Sequence, residues 1–346
     1  MTAAASDEEV VLENLAARRH RINEAIDEEL PVEEPARLYE ASRYLLEAGG
    51  KRLRPAIVLL VAEALTGEIG DDAAYRRMPT CEGGEPIDVM RAALSIEIVQ
   101  SFTLIHDDIM DDDDLRRGVP AVHEEFDLET AILAGDTLYS KAFETLLETG
   151  APADHSIRAL RILAATCTRI CEGQALDLAF ESDDDVRVPA YRDMIERKTA
   201  VLFRAAAAIP AVLLGADEET VEALGAYGRS VGEAFQIHDD VLDLTVPSDT
   251  LGKRRGSDLI EGKRTLITIH AARNGVDVDG LLPPDPDEAA IEAAVAEIEA
   301  AGSISFARAA ARELVDDGVD QLAVLPANEA TDQLGKLANY LIERGY

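Results

Sequence analysis

Residues 102–111 read FTLIHDDIMD and residues 235–243 read FQIHDDVLD. Each places His-Asp-Asp-x-x-Asp at the end of an apolar run with helical spacing. A helix advances about 100° per residue. Asp107 and Asp111 therefore share one helical face, with Asp108 on its flank. Asp239 and Asp243 do the same, with Asp240 between them. Gln100 and Thr103 extend the first face upstream, and Gln236 stands one turn before Asp240.

Outward from these segments the helical periodicity continues. It predicts helices over 7–30, 35–48, 55–66, 86–111, 128–149, 154–180, 188–214, 217–244, 263–274, 287–301, 304–323 and 328–344. Pro55 suits a first helical turn, where its missing N–H costs nothing. Ala56 to Ala64 is apolar nearly all round, the mark of a central buried helix. No strand alternation stands out. Thr66 to Ile87 and Val276 to Asp287 read as loops, and neither looks like a domain boundary. The expectation is an all-α protein with residues 1–346 as one large helical domain.

The composition is acidic: 68 Asp and Glu against 33 Lys and Arg, a formal net charge of -35. Such a surface repels itself in dilute buffer, and molar salt screens the repulsion. With 47% hydrophobic residues the chain is too apolar for disorder, so it reads as a folded protein of a high-salt cytoplasm. The sign of the charge excludes a nucleic-acid partner. Of the three cysteines, Cys167 and Cys171 lie one turn apart without further ligands at metal spacing, and read as buried structural thiols of a reducing compartment. The N-terminus lacks a signal-peptide pattern. The longest apolar runs, 55–62 and 205–216, fall short of a membrane span. A soluble cytoplasmic protein is expected.

Clustered carboxylates repel one another unless a cation joins them. Hard oxygen ligands in ones and twos, with room for water and phosphate, suit Mg²⁺. The bland alternative is a solvated acidic face, which fits Asp112 to Asp114. Two matching clusters, each continuing an apolar stripe, favour the metal. The cations point the same way. Only six lysines occur, and four lie in short Gly, Arg and Thr contexts: GGKRLRP (Lys51), ERKTAVLF (Lys198), LGKRRGSD (Lys253) and EGKRTL (Lys263). Glycine lets backbone approach an oxyanion while Lys and Arg supply charge. Lys198 shares a stripe with Tyr191, Ile195 and Leu202, which would aim it inward; the alternative is a snorkelling side chain. Arg116 and Arg117 directly follow the first cluster, one for each of two anions. This inventory fits metal-assisted departure of a diphosphate into a dry apolar pocket.

Together the motifs GGKRLRP (49–55), LIHDDIMDDDDLRRG (104–118), GQALDL (173–178), KTAVLF (198–203) and GEAFQIHDDVLDLTVPSDTLGKRRGSDLIEGKRTL (232–266) resemble the trans-type polyprenyl synthetase family. With the acidic composition, the resemblance points to a halophilic archaeal source. It implies a single large helical bundle around a central cavity, and a homodimer. It implies that Asp107, Asp108 and Asp111 bind Mg²⁺, more than one ion per site, with an allylic diphosphate. Asp239, Asp240 and Asp243 would do so from the other side. Arg116, Lys198, Thr199, Gln236, Lys253 and Lys263 would contact the allylic diphosphate. Lys51, Arg54 and Arg117 would hold isopentenyl diphosphate. Gln100 stands where many members carry His, and its amide can still donate to phosphate. Gln174 and Asp177 look like groups that orient Lys198 or the metals.

The implied reaction is ionisation, condensation and elimination, with geranylgeranyl diphosphate as product and farnesyl or longer chains as alternatives. Phe102, five residues before Asp107, would wall the product cavity. The alternative is that its ring, about 140° around from Asp107, packs on a neighbouring helix. An HD-type metallophosphohydrolase would need more histidines than the six present. A non-catalytic subunit of a heteromeric synthase should have lost some of these carboxylates or cations.

Overall fold

The structure, a computed structural model, describes residues 7–68, 72–180, 183, 185–247 and 254–343. These fall into two compact units. The first holds the described residues up to Thr168, Leu202–Gly228 and Gln321–Leu337; the second holds Arg169–Val201, Arg229–Asp320 and the described residues from Ala338.

In the first unit, α1 (Asp7–Glu29), α2 (Ala36–Glu47) and α3 (Leu53–Thr66) precede the short α4 (Asp72–Tyr75) and the long α5 (Val89–Met110). A two-stranded ribbon, β1 (Leu115–Arg116) and β2 (Val119–Pro120), leads to α6 (Val122–Glu125) and α7 (Leu128–Leu147). α3 is buried on every side from Pro55 to Ala64, as a stretch whose only charge is Glu63 requires, and Gly67 ends it at φ 74° with its N–H on the Glu63 carbonyl. α5 packs against α3 and α7. Each Leu, Ile or Val buried in that layer contributes about 1.5–3 kcal/mol. Asp88 caps the start of α5 by accepting from the Arg91 N–H, and Asp127 caps α7 through the Thr130 N–H.

α8 (Ala153–Phe180) and α9 (Val188–Ile195) follow, and α9 runs into a π-helical turn, Glu196–Ala200. Beyond it come α10 (Val201–Leu214), α11 (Glu218–Thr245), α12 (Ser257–Ile260), α13 (Leu266–Arg273), α14 (Glu288–Ala300), α15 (Ser303–Gln321) and α16 (Glu329–Glu343). Within the second unit α13 packs against α9 and α14, and Thr265 and Thr268 close a reciprocal cap at its start.

The helices stand where the periodicity places them, with two differences that matter for the site. The helix expected over 188–214 is interrupted by the π turn, which periodicity cannot signal. The ribbon was not expected, because strands this short carry no alternation. Cys171 is exposed, whereas Cys167 is buried, so only one of that pair is a core thiol. No helix among the described residues is long and apolar enough to cross a membrane.

Candidate active site

α5 ends at Asp111, and Asp112 turns into the left-handed region at φ 55°, which aspartate tolerates better than most residues. The ribbon follows at once. Leu115 stands opposite Pro120 and Arg116 opposite Val119, leaving Arg117 (φ 55°) and Gly118 (φ 78°) as the turn. Two positive φ values make the primed turn whose twist matches that of the strands. The ribbon folds Arg116 back onto the end of α5. Its Nε donates to Asp108 Oδ1 at 2.6 Å, and its second nitrogen donates to Asp113 at 2.8 Å.

Asp108 is 0% exposed, while Asp107 and Asp111 are half-buried. Burial pushes the Asp108 carboxyl up, and Arg116 pulls it part of the way back. Burial acts to lower the Arg116 pKa, but the hydrogen bond and charge of Asp108 together with the charges of Asp113 and Asp107 outweigh it and the net direction is up. Asp108 Oδ2 is buried with no hydrogen-bond partner within the protein. A buried carboxylate oxygen left so is costly unless something else meets it.

The second segment closes α11, and a donor chain organises it. Tyr191 of α9 donates to Asp240 Oδ2 at 2.6 Å. The Gln236 amide donates to Asp240 Oδ1 at 3.0 Å, and Thr199 of the π turn donates to the Gln236 carbonyl oxygen at 2.9 Å. Burial first, and the nearby charge of Asp258 second, drive the Asp240 pKa well above the ordinary carboxylate value. Asp243 is 1% exposed and fastens α12: one oxygen accepts from Ser257 Oγ at 2.8 Å, the other from the Asp258 N–H at 3.2 Å. Asp239 is half-buried.

The π turn also carries Lys198, whose Nζ meets Asp177 Oδ2 at 2.5 Å, one of the two roles the resemblance implies for that aspartate. α8 reaches this turn at Gly173, where a Cβ would lie 2.3 Å from the Lys198 backbone nitrogen. The glycine of GQALDL thus permits backbone contact with the lysine-bearing turn. Lys263 lies 2.8 Å from Glu261 and 3.9 Å from Asp258. Lys253 lies outside the described residues.

In the first unit, Lys51 is exposed and Gln100 half-buried. The Arg54 guanidinium lies 4.3 Å over the Phe203 ring. Arg117 does not extend outward: it donates to the Leu45 carbonyl at 2.9 Å and to the Gly49 carbonyl. Phe102 turns its ring towards α7, edge-on to Tyr139 and to His106 at 5.4 Å each. The ring therefore packs on a neighbouring helix.

Among the described residues, no three His, Cys, Asp or Glu side chains form a group that could hold a metal by themselves. Magnesium bound through one or two carboxylates, phosphate oxygens and water needs no such group. The half-buried Asp107 and Asp111, beside a buried carboxylate oxygen that no donor meets, fit a cation of that kind.

Against known proteins, the family model for polyprenyl synthetases matches residues 35–297. The chain belongs to the polyprenyl synthetase family. It is 63% identical over 332 residues to a geranylfarnesyl diphosphate synthase of Natronomonas pharaonis, covering 96% of this chain and 97% of that one. A solved geranylgeranyl pyrophosphate synthetase from Geoglobus acetivorans is 43% identical with a TM-score of 0.85, covering 95% and 99% of the two chains. A polyprenyl synthase from Caulobacter crescentus, solved with calcium and isoprenyl diphosphate, is 30% identical with a TM-score of 0.83 and full coverage of both. The protein is a trans-prenyltransferase with the all-α fold of that family, whose members use divalent metal ions.

Several residues of the site were not singled out by sequence reasoning: Arg52, Glu97 and the Asp113 partner of Arg116. Glu97 had a signal. It is the lone charge within the run AALSIEIVQSF (92–102), and a buried charge needs a partner.

Proposed function

We propose that this polyprenyl synthetase condenses isopentenyl diphosphate with dimethylallyl, geranyl and farnesyl diphosphates, using Mg²⁺, to make geranylgeranyl diphosphate. The observation that carries the site assignment is the arrangement at the end of α5: Asp107 and Asp111 half-buried, and Asp108 buried and held by Arg116. Asp107, Asp111 and Asp239 are the direct metal ligands in this reading. Asp108, Asp240 and Asp243, each already bound to protein donors, hold the ligand-bearing helix ends in shape. Magnesium, when bound, supplies positive charge to the departing diphosphate.

The chain's own groups do the rest. Arg116, Lys198, Thr199, Gln236, Lys253 and Lys263 bind the allylic diphosphate; Lys51, Arg54, Gln100 and Arg117 serve isopentenyl diphosphate. The allylic C–O bond breaks with its electron pair leaving on diphosphate. The double bond of isopentenyl diphosphate forms the new C–C bond, and a proton is lost, with the departing diphosphate as the candidate acceptor. Residues 1–346 act as one catalytic domain, supported by a family match that spans parts of both units.

A twenty-five-carbon product is the second reading, favoured by the name of the Natronomonas relative. The deciding experiment supplies isopentenyl diphosphate, Mg²⁺ and each allylic starter and sizes the products by chromatography. Twenty-carbon chains are expected, and excess EDTA should stop turnover until Mg²⁺ is restored. Full activity in EDTA would refute the metal reading.

The enzyme works as a homodimer in a cytoplasm of high salt. Leu128, Ile132 and Tyr139 form an exposed apolar stripe along α7, suited to a second copy of the chain. With a net charge of -35, melting temperature should rise with KCl towards molar concentration; a flat or falling curve would contradict the salt reading.

A further inference from the structure

The loop between α2 and α3, Gly49 to Arg52, is held by Arg52, Glu97 and Arg117, and of these Arg52 and Glu97 have no place among the substrate-binding groups. Arg52 sits at φ 51°, a left-handed conformation rare for arginine, and its side chain is 1% exposed. The guanidinium reaches three elements at once. Its Nε donates to Asn23 Oδ1 on α1 at 3.0 Å; its other nitrogens donate to the Leu46 carbonyl at the end of α2 and to Glu97 on α5. Glu97 is 4% exposed in its side chain and also lies 3.8 Å from the Arg117 guanidinium. Arg117, likewise at positive φ, grips the opposite side of the loop through the Leu45 and Gly49 carbonyls. It lies so close to Gly50 that a Cβ there would stand 3.0 Å from the guanidinium carbon.

The loop is therefore clamped between two arginines, and one buried carboxylate faces both. Two non-glycine residues in the left-handed region persist only where the surroundings over-determine them. Lys51 lies within the clamped loop and is exposed, and Arg54 follows in the first turn of α3.

We infer that Glu97, acting through Arg52 and Arg117, is a positioning residue that sets the shape in which the 49–54 loop presents its cations to isopentenyl diphosphate. The inference rests on the reading that this loop binds isopentenyl diphosphate. Glu97 touches no substrate in this account. Its effect should fall on one substrate and spare the other.

The test is steady-state kinetics of the full chain in molar KCl, varying isopentenyl diphosphate at saturating farnesyl diphosphate and then the reverse. Glu97→Gln keeps the shape and removes the charge. It should raise KM for isopentenyl diphosphate by roughly tenfold or more, as loss of a charge-assisted hydrogen bond implies, and leave KM for farnesyl diphosphate unchanged. A paired variant, Arg52→Met with Glu97→Leu, replaces the buried ion pair with apolar volume. Such replacements commonly restore stability, so melting temperature should recover while KM for isopentenyl diphosphate stays high.

Recovery of that KM along with the melting temperature would show the pair to be structural only and overturn the inference. So would a rise in both KM values together. Lys51→Ala separates the two levels of the argument. If it leaves KM for isopentenyl diphosphate unchanged, the loop is not that site, and the reading and the inference both fall. If it raises that KM and Glu97→Gln does not, only the inference falls. Should Glu97→Gln fail to fold, Asn23→Ala removes one of the three Arg52 acceptors and should give the same selective rise at smaller size; no rise would overturn the inference.

Discussion

At the end of α5 the middle aspartate, Asp108, is held by a cation; at the end of α11 its counterpart, Asp240, is held by a phenol and an amide. The last aspartates differ as well. Asp111 is the half-buried cap of its helix, whereas Asp243 is buried and ties down the turn at Ser257 and Asp258. The same letters therefore take different roles, because a carboxylate's role depends on the donors around it as much as on its place in the motif. What the two segments share is a half-buried first aspartate, Asp107 and Asp239.

That shared feature makes the largest prediction. Asp107→Ala and Asp239→Ala should each lower kcat by about three orders of magnitude or more, since each removes a group that acts mainly in the transition state. Far-UV circular dichroism should be unchanged. A large loss at only one of them would break the equivalence.

The difference between the middle aspartates sets the next effect. Asp108→Asn leaves Arg116 without its buried counter-charge. It should lower kcat/KM for the allylic diphosphate by roughly ten- to hundredfold, the scale of a lost charge-assisted hydrogen bond. An unaltered kcat/KM would mean that Arg116 is positioned without Asp108.

Smaller effects belong to the neutral donors and are read in stability. Asp243→Ala should cost about 1–3 kcal/mol in denaturant melts by orphaning the donors at Ser257 and Asp258. Tyr191→Phe should cost about 1 kcal/mol, because Asp240 keeps its Gln236 donor. If Tyr191→Phe proved the costlier of the two, the relative weight given to these anchors would have to be reversed.

Much of this was legible in the sequence because helix periodicity and a repeated acidic motif are local signals. The buried, largely apolar α3 and the placement of both clusters at helix ends follow from spacing, whereas the pairing of Lys198 with Asp177 came only from the family resemblance. The division of labour within each cluster was not legible. It depends on Arg116 arriving by way of a turn with two positive φ values, and on Tyr191 reaching Asp240 from 49 residues away in sequence. The π turn at 196–200 leaves no trace in hydrophobic period. Phe102 shows the same limit: its distance from Asp107 was computable, but its contact with Tyr139 on α7 required the packing of two helices.

The most direct test is the Mg²⁺ dependence of turnover in Asp239→Ala and Asp243→Ala, measured beside their melting temperatures. These residues share one face of α11, four positions apart. Asp239→Ala should collapse turnover at every Mg²⁺ concentration and leave the melting temperature unchanged. Asp243→Ala should lower the melting temperature and leave the Mg²⁺ midpoint where it was. A shift of the Mg²⁺ midpoint in Asp243→Ala without loss of stability would make Asp243 a metal ligand and contradict the division drawn here.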